Sequence, residues 1–187
     1  EIIKTKNLSG KFLESIFSNI IQSLKQRNEE KYFVDLMKNI KDETTIPEEI
    51  KKSMIEACGS SMLFYAKDVI LDYYKTFQNN PYIKITCIRS LGKMSIPEVC
   101  SIVKEALYDE KWEIKAVACK YAFLCPHLYP ILSDLLEDAN FYVRRNAALT
   151  LAESDEGLKI LKEKLFNTSD KYTKDLINSI LKLKQNA

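Results

Sequence analysis

The sequence has few turn-forming residues, and this shortage excludes several fold classes. It contains 4 Gly and 5 Pro among 187 residues, too few for the many tight turns of a β-sandwich or β-barrel. No apolar run approaches the ~20 residues that a membrane-spanning helix requires. Hydrophobic residues still make up 46% of the chain and charged residues 29%, which is sufficient for a core. We therefore predict an all-α fold that does not insert into a membrane.

Residues that commonly carry catalysis are also scarce. The single histidine, His127, lies between two prolines and is predicted to be an ordinary exposed side chain. The sequence has no glycine-rich phosphate-binding motif and no G-x-S-x-G nucleophile turn. We predict a non-enzymatic protein with no catalytic residues, no metal site and no cofactor.

The cysteines are odd in number and irregularly spaced, and none forms a C-x-x-C pair. This pattern argues against a disulfide framework or a zinc site. It favours free, buried thiols in a reducing compartment, so we expect a cytoplasmic location. Because the chain starts at Glu1 and not at Met, a cytosol-facing domain of a longer, membrane-tethered chain is the other expectation. The five positions are Cys58, Cys87, Cys100, Cys119 and Cys125.

Charge is balanced along the chain. The formal net charge is +2, and residues 1–80 hold 12 basic and 12 acidic side chains against 16 and 14 in 81–187. Neither half has the basic excess typical of a nucleic-acid-binding face. No nucleic-acid partner is expected.

An internal repeat of about 30 residues is the most informative feature. Two sets of apolar residues recur at this interval, one in the first helix and one in the second helix of each repeat. The first set is Ile83, Ile114, Val143 and Tyr172, each followed by small or apolar residues four and eight positions later. The second set is Phe77, Leu107, Leu136 and Leu165.

The best repeat, residues 138–165, resembles a short, bacterial-type HEAT repeat. It has an aspartate turn, a Val-Arg opening, an Ala-Ala seam and a Leu-x-x-L second helix. The resemblance implies a right-handed α-α superhelix of about five helix pairs, with the second helices on the concave side. The predicted single domain comprises an N-terminal capping pair at 1–44, helix pairs at 47–78, 80–108, 111–138 and 140–167, and a capping helix at 169–185.

Local patterns refine this prediction at two places. In the capping pair, one buried apolar stripe, a row of residues along one face of a helix, is predicted at Phe12, Ile16, Ile20 and Leu24. Another is predicted at Tyr32, Leu36 and Ile40. A peripheral membrane helix over 11–25 is the alternative, but its polar face is weakly cationic. Pro126 and Pro130 predict an early end of one helix and a shortened following helix.

Partner-binding residues are predicted at equivalent repeat positions. A row on the second helices is expected to line a groove of mixed charge. Trp112 and Phe141 begin successive first helices and either pack between turns or form an apolar edge for a partner. The row comprises Tyr74, Lys104, Ser133 and Lys162.

A row of basic residues near acidic turns is interpreted as an inter-repeat ladder of ion pairs and hydrogen bonds. A ligand site is the alternative for the same residues. The ladder comprises Lys84, Asp109, Lys115, Asp138, Arg144 and Arg145.

These patterns favour an interaction scaffold that binds a partner protein of unknown identity, in an oligomeric state that the sequence does not specify. Resemblance to HEAT-like proteins leaves two alternatives. One is nucleic-acid binding or an alkylpurine DNA glycosylase, for which Trp112, Tyr73, Tyr74 and Asp109 are the available residues. The other is a chaperone subunit resembling the bilin lyases. HEAT-like iron hydroxylases are excluded because their His-Glu motifs are missing.

Overall fold

A computed structural model describes residues 9–185, and over this range the secondary structure is helical, without strands. This confirms the all-α prediction. Residues 1–8, which belong to the predicted 1–44 pair, lie outside the described part. The α-helices are α1 Gly10–Lys25, α2 Lys31–Ile40, α3 Glu48–Ser60, α4 Lys67–Thr76, α5 Pro81–Lys93, α6 Val99–Ala106, α7 Trp112–Tyr121, α8 Tyr129–Leu135, α9 Phe141–Leu151, α10 Asp155–Asn167 and α11 Lys171–Gln185.

The chain divides into two compact units, with the boundary between Ile96 and Pro97. In the N-terminal unit, α3 packs between α1 and α5, while α2 packs on α4. In the C-terminal unit, α9 packs between α7 and α11, while α8 packs on α10. Within each unit, alternate helices therefore pack against each other, as in a stack of helix pairs.

Short polar side chains begin several helices. Asn140, for example, accepts a hydrogen bond from the Tyr142 backbone N–H at 2.8 Å, which satisfies one of the free donors at the start of α9. Further capping side chains of this kind are Ser9 on α1, Asn80 on α5 and Ser154 on α10.

The predicted buried apolar residues of α5, α7 and α9 are confirmed, and α3 has a corresponding buried stripe. Each stripe is almost inaccessible to solvent, and small residues allow the neighbouring helices to approach closely. The residues are Ile50, Met54 and Cys58; Ile83, Cys87 and Leu91; Ile114, Ala118 and Ala122; and Val143, Ala147 and Leu151.

The predicted stripes of α1 and α2 are wrong by one residue. Leu13 and Ile21 are buried on α1, whereas Phe12 and Ile20 are exposed. The stripe on α2 shifts in the same way, with Phe33, Val34 and Met37 buried and Tyr32 and Leu36 exposed. Adjacent apolar residues allow either face of these helices to be buried, and the packing of neighbouring helices selects one.

The same one-residue error occurs in the first two turns of α11, whereas Ile180 is buried as predicted. Thr173 and Ile177 are fully buried, while Tyr172 is exposed and Leu176 is only half-buried. The Thr173 hydroxyl lies 2.8 Å from the Leu136 carbonyl oxygen, so a polar residue occupies the position predicted for an apolar one. Its burial is favourable because the hydroxyl is hydrogen-bonded.

The prolines act as predicted. After α7 the chain forms two short 3-10 turns, and α8 has seven residues with Pro130 in its first turn. Pro130 costs little there because the first turn needs no intrahelical N–H donor.

A disulfide joins Cys100 of α6 to Cys125 between the two 3-10 turns, with 5.7 Å between the Cα atoms. The expectation of five free thiols is therefore wrong, although Cys58, Cys87 and Cys119 are free and buried. The two cysteines lie 25 residues apart in the sequence. They meet because α6 packs against α7 and the 3-10 turn that follows it. Because disulfides are uncommon in a reducing compartment, the cysteines no longer indicate a cytoplasmic location.

No helix in the part that the structure describes is both long and apolar enough to cross a membrane.

Candidate functional site

The turn before α9 is organised by Asp138. Its Oδ1 accepts a hydrogen bond from the Asn140 backbone N–H at 2.8 Å, and its Oδ2 forms an ion pair with Lys115 of α7. Arg144 of α9 donates to the Asp138 carbonyl oxygen at 2.6 Å. The Asp138 side chain is only 9% exposed, so this ion pair is better shielded from water than a surface pair. The turn is thereby held in a fixed position between α7 and α9.

Similar turns precede α7 and α11. Asp109 accepts from the Lys111 backbone N–H at 2.9 Å, and the Thr168 hydroxyl accepts from the Asp170 backbone N–H at 3.1 Å. Thr168 and Lys164 also hydrogen-bond the Glu137 carboxylate and lower its pKa. These recurring turns place the first residues of α7, α9 and α11 in comparable surroundings.

Four exposed aromatic residues lie at the starts of these helices. Trp112 stacks on Tyr142 with 5.5 Å between ring centroids, and Phe141 meets Tyr142 edge-on at 5.7 Å. We call Trp112, Phe141, Tyr142 and Tyr172 the aromatic edge. Their side chains are 40%, 52%, 56% and 74% exposed, respectively. Trp112 and Phe141 are thus partly exposed, and Trp112 also packs against the Tyr142 ring at the start of the next first helix.

A groove of about 390 Å³ adjoins this edge, a size within the usual range for ligand sites. It lies between α9 and α11, and we call it the α9–α11 groove. Phe141 and Tyr172 belong both to the edge and to the groove. The other lining residues are Arg144, Arg145, Leu149, Asp175, Leu176, Ser179, Ile180 and Leu183.

The two arginines of the groove differ in their contacts. Arg144 is half-buried and donates to the carbonyl oxygens of Asp138 and Ala139 at 2.6 and 3.2 Å. Arg145 is exposed, and within residues 9–185 it forms no ion pair with Asp175 on the opposite wall. Arg144 therefore supports the turn, while the Arg145 guanidinium is available to a ligand.

The predicted row on the second helices is only partly accessible. Tyr74 is fully buried, with the Lys84 ammonium 5.1 Å from its ring centroid, so the expectation that it contacts a partner is wrong. Lys104 and Lys162 are exposed and Ser133 is half-buried. Burial of Tyr74 follows from the packing of α4 on α5, which a repeat alignment alone does not reveal.

The sequence patterns did not indicate Tyr142 or Tyr172 as exposed residues of the candidate site. Both immediately precede a buried position, Val143 in α9 and Thr173 in α11. An error of one residue in α11 assigned Tyr172 to the core. With the correct alignment, the two tyrosines are equivalent and mark the same exposed face.

Metal-binding side chains do not form a cluster within residues 9–185. His127 is exposed, and no cluster of three or more His, Cys, Asp or Glu side chains occurs in the described residues. Burial raises the pKa of the Cys119 thiol to about 12 and raises the pKa values of Cys58 and Cys87 as well. These thiols are protonated at neutral pH and are poor nucleophiles.

Comparisons with known proteins give a similarity of fold and no family. The chain matches no known family model and no curated protein. It is similar to the crystal structure of an engineered protein solved by the Northeast Structural Genomics Consortium, with a TM-score of 0.52 and 15% identity over 95% of this chain and 92% of that chain. At this identity the likeness concerns the fold alone.

Proposed function

We propose that the protein is a non-enzymatic interaction module that binds a partner protein through the aromatic edge and the adjoining α9–α11 groove. The observation that carries this proposal is the clustering of exposed Trp112, Tyr142 and Phe141, in which the Tyr142 ring contacts both of the others. Tryptophan and tyrosine are the side chains that most often dominate the binding energy of interfaces. Their exposure in a cluster beside a groove is typical of such a surface.

The proposal extends to the architecture. The alternating packing of helices within each unit supports a HEAT-like stack of helix pairs, which we propose to be a right-handed solenoid of about five pairs. In this arrangement the aromatic edge lies where the first helix of each pair begins, next to the turn that precedes that helix. The predicted second-helix row would then retain Lys104, Ser133 and Lys162 as a competing surface, without Tyr74.

A peptide-display selection tests this function and requires no candidate partner. A library of random 12-residue peptides is selected on the wild-type protein, and enriched peptides are then measured against Trp112→Ala and Phe141→Ala. We expect enriched peptides to lose at least tenfold in affinity on either substitution, since truncating a residue that dominates an interface costs about 2 kcal/mol or more and about 1.4 kcal/mol already corresponds to a tenfold loss. Tyr65→Ala is the matched control because Tyr65 is an exposed aromatic of the N-terminal unit.

Two results would contradict the proposal. The first is that no peptide is enriched above the empty matrix. The second is that enriched peptides bind both edge variants with wild-type affinity while Lys104→Glu or Lys162→Glu abolishes binding, which would assign the function to the second-helix row.

A further inference from the structure

We propose that the α9–α11 groove recognises an acidic peptide segment that places an apolar side chain between the two helices and a carboxylate on Arg145. This inference rests on the proposed function and names the chemistry of the partner. The proposed function does not itself require an acidic partner, so the two proposals fail separately.

The floor of the groove is suited to an apolar side chain. Leu149, Leu176 and Ile180 line it, with Phe141 and Tyr172 at the end that joins the aromatic edge. A further lining residue, Leu183, is 65% exposed. Removing this apolar surface from water lowers the free energy. We therefore expect a leucine or phenylalanine side chain of the partner to occupy the groove.

The net charge of the two helices that form the groove favours a partner of negative charge. The helices α9 and α11 carry six basic side chains and one acidic side chain, which is a charge of +5 in a chain whose net charge is only +2. An acidic segment is therefore attracted to this pair of helices and an equally apolar basic segment is repelled. The charged residues that line the groove are Arg144, Arg145 and Asp175, and the other basic residues of the two helices are Lys171, Lys174, Lys182 and Lys184 of α11.

Arg145 is the residue placed to hold a carboxylate. It is exposed on the groove wall and, unlike Arg144, it has no hydrogen-bond acceptor in the part of the chain that the structure describes. A guanidinium donates two parallel hydrogen bonds to a carboxylate, which gives orientation as well as energy. The peptide would thus be fixed by an apolar anchor and one charged contact.

A nucleic acid fits the same groove less well. A phosphate backbone requires a continuous track of basic side chains, but the groove wall offers Arg145 alone as an uncommitted cation among the described residues, and Asp175 opposes it. Leu149, Leu176 and Ile180 form its floor, and the aromatic rings that could stack on bases, Phe141 and Tyr172, lie at one end only. The observations therefore favour an acidic peptide.

The composition of the selected peptides is the first test. We expect sequences enriched on the wild-type protein to contain Asp or Glu together with Leu or Phe, and to lose this bias when selected on Arg145→Glu. Enrichment of neutral or basic peptides would overturn the inference but leave the proposed function intact. If no peptide is enriched, both this inference and the proposed function are contradicted.

The second test is direct titration of the most enriched acidic peptide, labelled with fluorescein, by fluorescence anisotropy. We expect Arg145→Glu to weaken binding at least tenfold and Lys159→Glu, a comparable charge change at an exposed position of α10, to change it less than threefold. Replacing the acidic residues of the peptide by Lys should abolish binding. Equal losses for both variants would show a nonspecific charge effect and overturn the assignment.

A labelled 12-residue oligothymidylate is titrated in parallel. The expected result is no competition with the acidic peptide. Competition by the oligonucleotide, with affinity that collapses between ~50 and ~200 mM salt, would identify a nucleic-acid groove and overturn the inference.

Discussion

Gly157 is a position where the packing of α10 leaves no room for a side chain. A Cβ atom at this residue would overlap the carbonyl oxygen of Leu151, and that oxygen belongs to the backbone of α9. Gly157 also donates its N–H to the capping Ser154 hydroxyl at 3.1 Å. The close approach of backbone to backbone makes glycine necessary here.

We predict that Gly157→Ala lowers the free energy of unfolding by about 2 kcal/mol, because overpacking against a rigid neighbour is costly. Urea denaturation followed by circular dichroism measures the change. Gly10→Ala is the matched control, since its Cβ would meet the flexible end of Glu49. An equal loss in both variants would contradict the explanation.

Asp170 is stabilised in its charged form by the start of α11. The Thr173 hydroxyl lies 2.6 Å from Asp170 Oδ2, and its single proton is donated to this charged oxygen in preference to the neutral Leu136 carbonyl. The Thr173 backbone N–H donates to the same oxygen at 2.8 Å. These hydrogen bonds, with a smaller contribution from Arg144, lower the pKa of Asp170. Since the folded pKa is below the unfolded value, the resulting stabilisation is present above about pH 4 and is lost as pH falls through the folded pKa.

We predict that Thr173→Val raises the pKa of Asp170 towards the ordinary aspartate value of about 3.9, because the side-chain hydrogen bond is removed while the backbone one remains. A carboxyl-carbon NMR titration reports this pKa directly. An unchanged titration midpoint for Asp170 in a folded variant would disprove the assigned cause.

At the scale of helices, the sequence predicted those elements whose apolar residues fall on one face. In α7 and α9, small residues such as Ala118 and Ala147 fall on a single helix face together with the other apolar residues, and the structure buries this face. In α1, the adjacent pair Phe12 and Leu13 leaves two registers open, and only contact with α3 decides between them. Periodicity locates a helix, whereas packing selects its buried face when two faces are apolar.

The candidate site was predictable to a similar extent. Trp112 and Phe141 were found because they occupy equivalent repeat positions, whereas Tyr172 was assigned to the core and Tyr74 to the surface. A tyrosine combines an apolar ring with a polar hydroxyl, so it suits either environment. Three-dimensional packing decides where it lies, as it also decides which cysteines meet.

The disulfide gives a prediction for the α6–α8 segment. A thiol assay with Ellman's reagent should detect no fast-reacting thiol in the native protein, three thiols after unfolding without reductant, and five after unfolding with reductant. The three native thiols are protected because they are buried and their pKa values are raised. Detection of five thiols in the unreduced, unfolded protein would contradict the disulfide.

Removing the same disulfide should reduce stability. The bond closes a loop between residues 25 positions apart, for which the chain-entropy estimate is on the order of 3 kcal/mol. We predict that the double variant Cys100→Ser, Cys125→Ala unfolds at lower urea concentration than the oxidised wild type and at nearly the same concentration as the reduced wild type. A variant as stable as the oxidised protein would contradict this prediction.

At the scale of the whole molecule, the distribution of charge matters more than its total. The net charge of +2 conceals the concentration of basic residues on α9 and α11, which the division of the sequence into halves did not reveal. The basic helices flank an apolar groove, and the groove adjoins exposed aromatic rings. Binding to this surface should therefore depend on both apolar contact and salt concentration.

The most direct test of the interaction surface uses Trp112, the single tryptophan of the chain, which lies in the aromatic edge. Its emission is quenched with acrylamide in the free protein and in the protein saturated with an enriched, tryptophan-free peptide. We predict a shift of the emission to shorter wavelength and at least a twofold loss of quenching, because the partner covers the indole. Saturating binding that leaves both the emission and the quenching of Trp112 unchanged would contradict the claim that the aromatic edge is the interaction surface.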